Sequence, residues 1–194
     1  MSSARARTRQ AILAATATVL GRDRKATLPA IAEAAGVGRT TVHRYFPDRD
    51  QLITAAITDS IEAIDQAVAA AALGDGEAVD AMRRLVAALV SVGDRLLFLF
   101  GDPRVFEQYE PSAGSRSADD ATITLIERGQ AEGAFDPGVS AGWIQHVLWA
   151  LVYTGHEEAV NGRLPRHGVA ATVLRTLENG IHQGRPSAPV DGPG

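Results

Sequence analysis

Arg39, Thr40, Thr41, His43, Arg44 and Tyr45 fall within seven consecutive positions of the stretch VGRTTVHRYFPDRD, residues 37–50, and Arg49 follows closely. An arginine fork matches O6 and N7 of guanine, and a threonine meets a phosphate or the methyl group of thymine. Hydroxyls, Tyr45 and Arg49 suit phosphate oxygens, which fix register rather than sequence. Thr27, at the start of the preceding helix, is counted with these hydroxyls. His43 has no second metal-ligating residue three or four positions away, so it reads as a base or phosphate contact or as a simply exposed side chain. The chemistry on offer is recognition of a polyanion, not bond-making.

The distribution of charge agrees. The chain of 194 residues carries a formal net charge of −4, yet residues 1–50 hold nine Lys or Arg against four Asp or Glu. Residues 51–194 hold ten against nineteen. A basic head on an acidic body places any polyanionic partner at the head. There is no cysteine, which excludes disulfides, thiolate metal sites and cysteine nucleophiles. No phosphate-binding glycine loop, paired-histidine motif or nucleophile elbow is present, so no catalytic residue, cofactor or metal is expected. No signal peptide and no apolar run of about 20 residues is recognisable, which implies a cytoplasmic protein without a membrane partner.

These side chains need helices to hold them. Apolar residues recur at helical spacing almost throughout, with no sustained alternation, so the expected fold is all-α with about nine helices. The first runs over 7–21. Thr27 caps a short second helix that Gly36 ends, and a third runs through Tyr45. Leu28, Ile31 and Ala32 face Val42 and Phe46, leaving Arg39, Thr40, His43 and Arg44 outside: a helix-turn-helix whose second member enters the major groove. A helix pair with a merely solvated face is the alternative. Asp48 caps a long fourth helix over 49–73, and a fifth covers 78–100 with a bend at Gly93. A short sixth segment carries Phe106 and Tyr109, a seventh helix covers 119–132, an eighth reaches Asn161 from a Ser140 cap, and the last covers 168–180. The expected domains are 1–47, 48–183 and a disordered Pro/Gly-rich tail, 184–194.

The segments AILAATATVLG and TLPAIAEAAGVGRTTVHRYFPDRDQL resemble the DNA-binding domain of TetR-type (TetR/AcrR) bacterial transcriptional regulators, over residues 9–53. The later RGQAEGAFDP, residues 128–137, is similar to that family's connection between its seventh and eighth helices. The resemblance implies a homodimer on a palindromic double-stranded DNA operator, usually a repressor, released by a small-molecule effector in a C-terminal ligand-binding and dimerisation domain. Gly38 stands where the family usually has Ser, His43 where it has Tyr and Arg49 where it has Lys. The usual Gly-aromatic pair after the first helix is replaced by RDRKAT. An interaction module whose head has lost DNA is the competing reading.

The eighth helix is apolar on nearly all sides, as expected of a helix shared between a core and a partner. Trp143, Val147, Ala150, Leu151 and Thr154, with Val173 and Leu177 of the last helix, are the candidate dimer interface. By resemblance, these helices pair with their copies in a four-helix bundle. Phe98, Phe106, Tyr109, Ile126, His146 and Trp149 are candidates for a pocket taking a largely apolar or aromatic effector, and ordinary core packing is the leading alternative for each. His146 is the polar anchor, or a hydrogen-bonded core histidine.

Overall fold

The computed structural model describes residues 3–101 and 117–181. Among them are nine α-helices and no strand: α1 (Ser3–Arg22), α2 (Leu28–Ala34), α3 (Arg39–Tyr45), α4 (Arg49–Ala70), α5 (Ala78–Ser91), α6 (Gly93–Phe100), α7 (Ser117–Ala131), α8 (Ala141–Val160) and α9 (Val169–Ile181). The expected bend at Gly93 is a break at Val92, whose φ of −109° and ψ of 20° divide the expected fifth helix in two, and Gly93 seats another side chain. The expected sixth segment and the tail lie outside the described residues.

Local chemistry sets the boundaries. Asp48 accepts a hydrogen bond from the Gln51 amide at 2.8 Å, and Ser140 accepts one from the Trp143 amide at 3.2 Å, so α4 and α8 begin on side-chain caps. Thr27 occupies the cap position of α2 but its side chain makes no capping bond, and Gly38 offers none to α3. The helix-turn-helix corner is closed from the other end. Gly36, at φ +65°, donates to Glu33 O while Val37 donates to Ala32 O, both at 3.0 Å. This paired closure needs a left-handed residue, which glycine adopts without a Cβ clash.

Helix α1 is the spine. Ile12, Leu13, Ala17 and Leu20 are buried, and the helix packs on α2, α4 and α6 at once. Gly21 lets α1 run against the α6 backbone, where a Cβ would sit 3.3 Å from the Phe98 nitrogen. Thr16, Ser60 and Thr122 are fully buried hydroxyls, and each donates to the carbonyl four residues earlier. That satisfaction is why polar residues are tolerated at core positions.

One buried ion pair ties head to body. Asp59 on α4 accepts from the Gln10 amide on α1 at 2.6 Å, and its other oxygen lies 2.9 Å from Arg95 on α6. Arg95 also donates to the Leu13 carbonyl at 3.3 Å and to the Ser60 hydroxyl at 3.4 Å. Arg95→Ala strands the Asp59 carboxylate and is expected to cost about 3–5 kcal/mol, whereas Asp59→Leu with Arg95→Met recovers most of that loss. Chemical denaturation of both variants checks this; equal destabilisation by the single and double changes refutes it.

Candidate nucleic-acid interface and helical body

Helix α3 is held from behind and open in front. Val42 and Phe46 are buried against α1 and α2, while Arg39, Thr40, His43 and Arg44 are exposed and Thr41 is half-buried. The exposed row lies along one side of a two-turn helix, and Thr27 is exposed at the start of α2. Arg39, His43 and Arg44 make no ion pair among the described residues, so their donors are available.

Two of the expected contacts are otherwise engaged. Arg49 donates to the carbonyls of Ala26, at 2.8 Å, and Arg24, at 3.1 Å. Its fork closes the α1–α2 turn, whereas a direct phosphate contact was expected; a carbonyl pair at fork spacing takes the same planar donors a phosphate would. Tyr45 donates its hydroxyl to the Arg5 carbonyl at 3.3 Å, tying α3 to the start of α1. The Arg44 and Arg5 guanidinium carbons lie 5.7 and 5.9 Å from the centre of the Tyr45 ring, and Arg9 lies 5.5 Å from that of Phe46. These are cation–π distances. Arg5 and Arg9 were not among the sequence candidates, although their signal was available as arginines at alternate positions of a helix start with no acid in its first turn.

Behind the head, Asp94 on α6 bridges two elements. Thr18 of α1 donates to one carboxylate oxygen at 2.9 Å, and His156 Nε2 of α8 lies 3.4 Å from the other. The imidazole rests on Gly93, where any Cβ would overlap it. His156 is therefore half-buried on α6, not at the surface edge that the polar run His156-Glu157-Glu158 suggests. The His156 contact, then the Thr18 hydrogen bond, outweighs burial and holds the Asp94 carboxyl down to about 2.

The body residues separate. Phe98 and Ile126 are buried in helix packing, and Trp149 is half-buried with its ring 5.9 Å from that of the exposed Phe100. Phe106 and Tyr109 lie outside the described residues. His146 is exposed, which corrects its reading as an inward anchor. The buried polar side chain at that level is its neighbour Gln145, whose amide donates to the Asp119 carboxylate at 2.9 Å. Burial, with Asp120 and Asp65 nearby, pushes the Asp119 carboxyl up.

On the outer side of α8 and α9, Trp143 is 61% exposed, Ala150 and Thr154 are exposed, and Val147 and Leu151 are half-buried. Two shallow hollows of about 210 and 260 Å3 lie there and share Leu151 and Thr176. Val173 and Leu177, expected at a dimer face, are 2% and 1% exposed. They form the floor of these hollows, because Gly155 lets α9 close onto α8 and buries that stripe within the protomer.

A model of bacterial regulatory proteins of the tetR family matches residues 12–56. The HTH-type transcriptional repressor LfrR of Mycolicibacterium smegmatis is 36% identical over 180 residues, covering 93% of either chain. The HTH-type transcriptional regulator NfxB of Pseudomonas aeruginosa is 27% identical over 158 residues, 80% of this chain and 84% of its own. The crystal structure of LfrR in complex with proflavine superimposes with a TM-score of 0.68 at 33% identity, covering 91% of this chain and 98% of that one. No helix among the described residues is long and apolar enough to cross a membrane.

The Asp94 bridge carries a pH signature. Its folded-state value lies below the usual carboxylate value of about 3.9, so the stabilisation is complete above that value and is lost as pH falls through about 2. Asp94→Asn is expected to cost about 1–2 kcal/mol at pH 7, discounted for partial exposure, and to match the parent near pH 2. Urea unfolding at both pH values measures this; a deficit of equal size at both contradicts the bridge.

Proposed function

This chain belongs to the TetR family of bacterial regulatory proteins, DNA-binding transcriptional regulators, and we propose that it works as a homodimeric repressor released from a palindromic operator by a small, largely apolar or aromatic molecule. The observation that carries this reading is the exposed row Arg39, Thr40, His43 and Arg44 on a helix braced by Val42 and Phe46. An α-helix fits the major groove, and guanidiniums without acidic partners favour a polyanion. The acidic body keeps the duplex to the head.

The apolar outer face of α8 and α9 supports pairing with a second copy. Trp143, Ala150, Leu151 and Thr154 offer surface there, and Val173 and Leu177 shape the groove from below. A two-fold pair sets two recognition helices about 34–36 Å apart, the separation of successive major grooves. The relative LfrR has been solved in complex with proflavine, which supports an aromatic effector in this body too. Helix α6 would transmit its arrival, since Asp94 holds Thr18 of α1 and Arg95 holds the Leu13 carbonyl. An effector that binds better to the splayed dimer lowers operator affinity by the same factor.

Selection of binding sites from random duplex DNA tests the reading: a palindromic sequence bound at nanomolar concentration supports it, and no enriched sequence rejects it. On the selected site, Arg39→Ala is expected to cost about 1–3 kcal/mol and to relax preference at one base pair per half-site. Unaltered preference would remove Arg39 from base readout. Leu151→Arg places a charge in the apolar face and is expected to yield monomers by analytical ultracentrifugation, with specific binding lost; a persistent dimer places the interface elsewhere.

A further inference from the structure

We propose that the notch between the start of α1 and the end of α3 is a second DNA contact, which holds a backbone phosphate beside the groove that α3 enters. Ala4, Arg5, Thr8, Arg44 and Tyr45 line an open hollow of about 490 Å3 there. Two guanidiniums from different helices lean on one tyrosine ring, at 5.9 and 5.7 Å. A cation held against a ring face in this way spends none of its N–H donors on the ring, so they stay available to an anion. The Tyr45 hydroxyl fastens the ring to the Arg5 carbonyl, so the α1 backbone is held in register with α3. Thr8 spends its hydroxyl on the Ala4 carbonyl, which makes the notch electrostatic, with Arg5 and Arg44 as its donors.

The two cations sit together with no acid among the described residues to offset them. Two like charges share one ring, neither makes an ion pair among the described residues, and α1 has no acid in its first turn to offset them. Cations at the start of a helix also oppose its dipole. Two exposed cations set side by side without an acidic partner form a positive spot that an anion relieves. The notch is continuous with the exposed row through Arg44, so a duplex seated on α3 brings its sugar-phosphate edge to Arg5. Contacts of this class set register and add affinity without reading sequence.

This inference rests on the DNA-binding reading, and the test separates the two. The full chain and its Arg5→Ala and Arg5→Lys variants are titrated with the selected operator and with a random duplex, at salt concentrations from about 50 to 200 mM. Arg5→Ala is expected to flatten the slope of log affinity against log salt by about 1 per protomer on both duplexes, and Arg5→Lys to restore it. Thermal unfolding of both variants is measured alongside, because a purely structural role would lower stability without changing the slope. A slope for Arg5→Ala equal to the parent's on both duplexes overturns the notch, as does a loss confined to the operator. If the parent itself shows no operator preference, the repressor reading fails, while the slope on random duplex still decides the notch.

Discussion

The alignment of α1 on α4 and α6 turns on one buried carboxylate. Asp59 is 7% exposed, and its charge is tolerated only because Gln10 comes from α1 and Arg95 from α6. A buried ion is costly unless it is paired and hydrogen-bonded. Three helices are therefore constrained to meet at one point, and sliding any of them exposes an uncompensated charge. The apolar residues of α1, α4 and α6 set how strongly these helices cohere, and Asp59 sets how they must be aligned.

Much of the fold was legible because helical spacing and caps are local. Asp48 and Ser140 begin their helices as read, and Val42 and Phe46 face inward as the apolar period requires. The break at Val92 was legible only as a bend, because the reason for Gly93 is an imidazole arriving from α8, more than sixty positions later. The same holds for the polar network. Asp94, Arg95 and His156 look like solvated residues in the chain, and nothing nearby announces that each has a partner on another helix. His146 failed in the opposite sense: in a helix apolar nearly all round, the period does not say which polar residue is inward, and the structure buries Gln145.

The basic side chains divide into two kinds that composition does not distinguish. Arg49, Arg84 and Arg128 spend their forks on backbone carbonyls at the ends of helices, closing the turns after α1 and α4. Arg39 and Arg44 make no such bonds among the described residues and are exposed. An arginine that meets two carbonyls at a turn presents the same residue type as one aimed at phosphate; geometry alone separates scaffold from probe. Bonding to carbonyls leaves the charge of Arg49 in place but turns its donors inward, whereas Arg5, Arg39 and Arg44 are exposed at the start of α1 and on the outer side of α3.

The burial of α1 against both α2 and α6 also bears on how such a chain can be divided. The residues up to Tyr45 look like a module, but α1 packs on α4 and α6, with Leu13 and Ala17 buried and Gly21 against the α6 backbone. A fragment ending at Phe46 would expose that apolar strip along with the polar groups that now meet Asp59 and Asp94. Exchange of heads between bodies, by recombination or by design, therefore has to preserve the surface that α1 shares with α4 and α6. The expected boundary at residue 47 is thus crossed by packing, since α1 lies against both α4 and α6.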